Sequence, residues 1–337
     1  MHRVPYRDIF DSLVRILLNA GFEEQRARLC AKLFADASRD GVYSHGLNRF
    51  PLFVSTIRNG IVDIHAAPTL VSGAGSLERW DGNSGPGNLN AYSSMERAIA
   101  LARRNGVGCV ALANTNHWMR GGSYGWQAAD AGVAGICWTN TLPNLPPWGA
   151  STPRLGNNPL VLAVPRPNGH VVLDMAMSQF SYGALASYRA RGELLPVAGG
   201  FDAAGELTRV PEAIEESMRP LPIGYWKGSG LALMLDLIAG MLSGGRTTHQ
   251  IEAKPERETG LSQVFVAIDP SALGQRAIAA GIAEQVIRNL QSVLRPEGEA
   301  VQYPGQRVSR IRAENLAKGI PVEPSVWQQV EEMADNA

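Results

Sequence analysis

Apolar positions at the start of the chain recur at intervals of three and four. Ile9, Leu13, Ile16 and Leu17, then Leu29, Leu33 and Phe34, mark helices over 8–20 and 23–39. Gly21 and Gly41 stop them, because glycine accepts the left-handed turn that ends a helix. A third helix is expected from about Pro51 to Gly60, with Pro51 in its first turn, where a missing N–H is no loss. From about Val71 the texture changes to short β-branched runs between helical stretches. These predict strands at 107–113, 133–139, 159–164, 170–175 and 261–269, and helices near 122–131, 178–188 and 229–243. Ser93-Ser94-Met95-Glu96 reads as a capping box opening a helix that ends at Asn105-Gly106. The apolar run Leu231 to Leu242, interrupted by Asp236, falls well short of the roughly 20 residues a bilayer span needs and reads as a buried helix. Helices return at about 276–293, 307–318 and 324–335.

Helices, then mixed α and β, then helices again predict an α/β (α+β) protein. Its two ends, 1–70 and 275–337, form one helical module beside an α/β domain at 71–274. Neither G-x-G-x-x-G after a strand nor G-x-x-x-x-G-K-[ST] occurs. A standard Rossmann site is therefore disfavoured, and a dinucleotide would have to bind on another fold.

Lys plus Arg and Asp plus Glu are balanced at 31 each, so no global field draws in nucleic acid or an anionic membrane. An anionic ligand must be caught locally. Cys30, Cys109 and Cys137 are odd in number and sit among apolar neighbours, which reads as buried free thiols in a reducing compartment. The first residues lack the basic start and apolar core of an export signal, so the cytoplasm is expected. The six histidines show no metal-ligand spacing, and no catalytic metal is expected. With no G-x-S-x-G elbow, a hydrolase is a poor reading.

Three polar clusters could carry chemistry. In Gly41-Val42-Tyr43-Ser44-His45-Gly46-Leu47-Asn48-Arg49, between two helices, His45 could protonate a developing alkoxide and Arg49 could fork a carboxylate. A structural histidine and a surface arginine would read the same way. In Asn114 to Gly125, between a strand and a helix, His117 and Arg120 could be a second acid/base and anion pair, or the glycines could simply make a tight turn around Trp118. In Gly224 to Gly230, Lys227 and several glycines open an apolar helix, a setting that favours phosphate and equally serves packing.

GVYSHGLNRF at 41–50, NHWMRGGSYGW at 116–126, PPWGA at 146–150, GNNP at 156–159 and YWKG at 225–228 together resemble the malate/L-lactate dehydrogenase family, which is unrelated to the Rossmann lactate dehydrogenases. The likeness spans almost the whole chain. It implies a homodimer with a non-Rossmann mixed-sheet domain, using NADH or NADPH to reduce a small keto acid. Malate, lactate and ureidoglycolate are alternative substrates within the family. It implies His45 as proton donor, although some members give acid/base duty to the match of His117. Ser44, Arg49 and Arg120 then become substrate contacts. The implied cofactor contacts are the strand His170, Val171, Val172, Leu173, Asp174, Met175 and Ala176, the pair Trp226 and Lys227, and the turn Gly305, Gln306 and Arg307. Ala184 departs from the Asp that imine-reducing members carry after the match of Gly183. Asn157 replaces a commoner Thr, and Arg307 would suit the extra phosphate of NADPH.

Overall fold

Strand β1 (Arg3–Val4) is followed by helices α1 (Tyr6–Asn19), α2 (Glu24–Arg39) and α3 (Phe50–Arg58) in the computed structural model, which describes residues 2–274, 276–294, 298 and 300–335. Next come β2 (Thr69–Ala74), β3 (Leu77–Asp81), α4 (Gly87–Asn105), β4 (Val107–Asn116), α5 (Gly122–Asp130), β5 (Ala134–Thr139), β6 (Leu160–Val164) and β7 (Val171–Met175). A smaller segment holds α6 (Tyr182–Ala190), β8 (Gly200–Phe201), β9 (Leu207–Thr208) and α7 (Pro211–Ser217). The chain continues through α8 (Trp226–Ser243), β10 (Thr259–Ile268), α9 (Arg276–Gln291), α10 (Gln306–Lys318), β11 (Ile320–Pro321) and α11 (Pro324–Asp335).

Seven strands form one sheet in the order β2-β3-β4-β10-β5-β6-β7. Strands β3 and β4 run parallel and the other neighbours antiparallel, so the sheet is mixed, not doubly wound. Central strand β10 is buried on both faces over most of its length, which is why its second half, Val264 to Ile268, is apolar without alternation. One face carries α4 and α5 over Met95, Leu101, Tyr124 and Phe265. The other carries α8, whose Ala232, Leu235 and Ala239 meet Ala111 and Val264.

The two ends of the chain meet. Strand β1 pairs with β11, and Leu13, Leu17, Phe34, Phe50 and Phe53 share a core with Trp327 and Val330 of α11.

Four expectations need correction. Helix α4 begins at Gly87, not at Ser93, and Ser94 is buried within it. Its opening Gly-Asn-Leu-Asn looks like a loop, but tertiary contacts hold it: Asn90 Nδ2 donates to Gly82 O and Thr115 Oγ1 at 2.8 and 3.0 Å. Helix α8 is buried on one face alone; Leu233, Met234, Leu237 and Met241 on the other are exposed, Met241 to 81 %. Cys109 is partly exposed, whereas Cys30 and Cys137 are buried free thiols. The predicted helix at 178–188 starts at Tyr182, after a Ser181 N-cap. Among the described residues no helix is long and apolar enough to cross a membrane.

Candidate active site

Helix α2 ends at Gly41, whose φ of +82° takes the left-handed conformation that favours glycine. Two short 3-10 turns, Tyr43–His45 and Leu47–Arg49, then wrap the chain around the helix end. Ser38 Oγ accepts the Leu47 N–H at 2.7 Å and donates to Phe34 O at 3.2 Å. The turns sit so close that a Cβ on Gly46 would lie 2.2 Å from Ser38 Oγ. This fixes Ser44, His45 and Arg49 relative to α2. Ser44 Oγ lies 3.0 Å from His45 Nδ1, and the bare Cα of Gly183 packs against Ser44.

His117 follows the end of β4. Met119 adopts φ +64°, a strained conformation for a side-chain-bearing residue, and its N–H points to His117 Nδ1 at 3.0 Å. A backbone N–H only donates, so Nδ1 accepts and the neutral ring carries its proton on Nε2. The His45 and His117 rings stack 5.8 Å apart at 22°.

Both rings line a cavity of about 760 Å³ together with Ser44, Arg49, Arg120, Asp174, Met175, Ala176, Ser178 and Glu258. Burial pushes His45 below its usual range; Asp174 opposes this, while Arg49 and Arg120 add to it. Burial, Arg49 and His45 hold His117 well below its usual range. Both rings are neutral at neutral pH. Arg49 Nη2 lies 3.8 Å from Glu258 Oε2, longer than a hydrogen bond, which leaves the fork available to a ligand. Burial raises the Glu258 carboxyl, with Arg49 and the Leu142 N–H at 3.1 Å opposing. Arg120 Nη1 donates to Asp40 Oδ2 at 2.6 Å, and its Nε is buried without a partner.

The remaining expected contacts divide. Asp174 to Ala176 line the cavity, and Asp174 Oδ2 accepts the Gly122 N–H at 2.8 Å. Val171 to Leu173 lie further back on β7, and His170 just before the strand has its Nε2 2.9 Å from Asp130 Oδ1. The Gly305 turn reaches that same stretch: Val172 N–H donates to Pro304 O at 3.0 Å, and a Cβ on Gly305 would come within 3.0 Å of His170 O. Strand and turn, far apart in sequence, therefore meet on the outer edge of the sheet. Trp226 and Lys227 are exposed at the start of α8 and lie outside the cavity lining. Ile223 just before them does line it, and its N–H donates to Met177 O at 2.8 Å.

The family model for malate/L-lactate dehydrogenase matches residues 4–331. The chain belongs to the malate/L-lactate dehydrogenase family. It is 43 % identical over 330 residues to 2,3-diketo-L-gulonate reductase of Citrobacter koseri, covering 98 % of this chain and 99 % of that one. The solved malate dehydrogenase of Pyrococcus horikoshii is 29 % identical, with a TM-score of 0.89 over 99 % of this chain and 95 % of that one. The sulfolactate dehydrogenase of Methanocaldococcus jannaschii gives 25 % identity and a TM-score of 0.92 over 99 % and 97 %. As a member of this malate/L-lactate dehydrogenase family the chain is an oxidoreductase, and membership implies a nicotinamide cofactor.

The residues present fit such a group. Ser178 Oγ is buried in the cavity wall with no hydrogen-bond partner among the described residues, just beyond Ala176, an unused donor aimed where a ligand would lie.

Two charged residues of this family member's site escape a reading of the sequence. Asp40 precedes the Gly41 motif at the C-terminal end of α2, where the helix dipole disfavours an acid, and that misplacement was the available signal. Glu258 lies in Lys254-Pro255-Glu256-Arg257-Glu258, which reads as solvated surface and carries no signal at all.

Proposed function

We propose that the chain is an NADH- or NADPH-dependent reductase of a small keto acid, converting 2,3-diketo-L-gulonate to 3-dehydro-L-gulonate (3-keto-L-gulonate). The observation that carries this is the convergence of His45, His117 and Arg49 on one cavity, in a chain 43 % identical to a protein of that name along nearly its full length.

Arg49 holds the substrate carboxylate through its fork, with Arg120 as a second donor. His117 Nε2–H donates to the carbonyl oxygen and polarises it. His45, steadied by Ser44, delivers a proton to that oxygen as it gains charge. The bound carboxylate helps here, because an added anion counters Arg49 and Arg120 and raises the His45 pKa towards neutrality. A reduced nicotinamide, when bound, supplies the hydride that the carbonyl carbon accepts. The residues that would hold it are His170 to Ala176, Trp226 and Lys227, and Gly305 to Arg307, with exposed Arg307 suited to the 2′-phosphate of NADPH. Residues 1–70 with 275–337 act as the helical module that presents His45 and Arg49, and 71–274 as the cofactor- and substrate-binding domain.

Absorbance loss of NADH, and separately of NADPH, with 2,3-diketo-L-gulonate beside pyruvate, oxaloacetate and other 2-oxo acids tests the reading. Selective turnover of diketogulonate is expected. Faster turnover of oxaloacetate or another acid would keep the reductase and discard the substrate, and that reading draws on the malate and sulfolactate dehydrogenases of the same fold.

The enzyme is a cytoplasmic homodimer in this reading. Leu233, Met234, Leu237 and Met241 form one apolar helix face with exposures of 43–81 %, more than a lone subunit has reason to show. Leu237→Glu is expected to shift the mass measured by light scattering from two chains to one. An unchanged dimer would place the contact elsewhere.

A further inference from the structure

Three guanidiniums converge on one carboxylate at the end of α2. Asp40, only 2 % exposed, accepts from Arg39 Nε at 2.9 Å, from Arg120 Nη1 at 2.6 Å, and from Arg312 Nε and Nη2 at 2.7 Å each. The donors come from different parts of the fold: Arg39 from α2, Arg120 from the turn before α5, and Arg312 from α10. Arg39 has Asp36 as a second partner at 2.7 Å, and the Arg312 guanidinium lies 4.6 Å from the centre of the Trp126 ring. Arg120 makes no second ion pair among the described residues. Its Nε is buried and unpartnered, and of the three it alone lines the cavity.

A guanidinium stays charged at any pH proteins meet, and one carboxylate shared three ways neutralises it incompletely. The surplus charge and the spare donor of Arg120 therefore belong to the cavity wall. Their direction is fixed by the bond to Asp40, since a planar fork anchored at one nitrogen has little freedom at the others.

From this we infer that Asp40 is a positioning residue for the reaction: it anchors Arg120 so that the remaining guanidinium donors form a fixed clamp for the substrate carboxylate. The inference rests on the keto-acid reading above. Arg312 serves the same carboxylate from the outside, holding α10 to α2 without reaching the cavity.

The test compares kcat/KM for the 2-oxo acid reduced best with that for its primary amide, which keeps the carbonyl and loses the anion. Asp40→Asn is expected to lose about 10- to 100-fold on the acid, the range for a misdirected charged hydrogen bond, and only a few-fold on the amide. Asp40→Glu keeps the charge for Arg39 and Arg312 but moves the anchor by one methylene, so the same acid-selective loss is expected from a folded protein if the asparagine variant fails to fold. Arg312→Met is expected to lower Tm while preserving the acid-to-amide ratio. Equal losses on acid and amide in the Asp40 variants, or an Arg312→Met ratio that shifts as theirs does, would make Asp40 merely structural and overturn the inference. No turnover of any keto acid by the wild type would remove the functional reading, and this inference with it.

Discussion

His45→Ala is expected to lower kcat by about 10²–10⁴-fold, the usual worth of a positioned general acid. The fold should survive, because the ring faces a cavity and, among the described residues, its one side-chain hydrogen bond is to the adjacent Ser44. His117→Ala should cost less, since a ring whose Nδ1 is committed to the Met119 N–H polarises the carbonyl without giving up its proton. The pH profile separates the two roles. A proton donor must be protonated, and burial holds free His45 below its usual range. For the wild type, kcat/KM in the reducing direction should therefore fall with rising pH from below about 6.5. The corresponding limb in kcat should lie at higher pH, because the bound anion raises the same group. His45→Gln should erase both limbs. Normal turnover in His45→Ala, with none in His117→Ala, would exchange the assignments.

The parts of this protein legible in its sequence are those where local pattern and tertiary environment agree. Helix α11 occupies 324–335 as predicted, because Trp327, Val330 and Ala334 repeat at three and four against one core. Strands β5, β6 and β10 fall within two residues of expectation, being short β-branched runs in a buried sheet. Strand β2 was not predicted: all six of its residues are exposed at the sheet edge, so no alternation marks it. Helix α4 was mistimed because its first turn is held by contacts from Gly82 and Thr115, which no local rule contains.

The site divides in the same way. Ser44, His45 and Arg49 stand out as a polar cluster between helices with no part in a core. Asp40 and Glu258 do not, since their meaning lies in arginines far away in sequence. The link between Gly305 and β7 likewise depends on a chain reversal that periodicity cannot show.

Arg49→Met should separate binding from stability and make both measurable in one protein. Losing the fork removes two charge-assisted hydrogen bonds to the substrate carboxylate, and a drop of about 10²–10⁴-fold in kcat/KM follows from roughly 1.5–3 kcal/mol for each. Arg49→Lys should recover only part of it, because an ammonium cannot present two parallel donors. The same substitution strands Glu258. Its carboxyl is already raised by burial, and Arg49 is the main influence holding it down. Without Arg49 the folded-state pKa rises further above its unfolded value. Such a group contributes stability that is fully present below the unfolded pKa of about 4.3 and is lost as pH rises through the folded one. Relative to wild type, Arg49→Met should therefore lose little Tm near pH 5 and more near pH 8, and Glu258→Gln added to it should flatten that difference. A Tm deficit that is the same at both pH values would mean that the pair at 3.8 Å contributes no coupling, and that Glu258 is held by the Leu142 N–H alone.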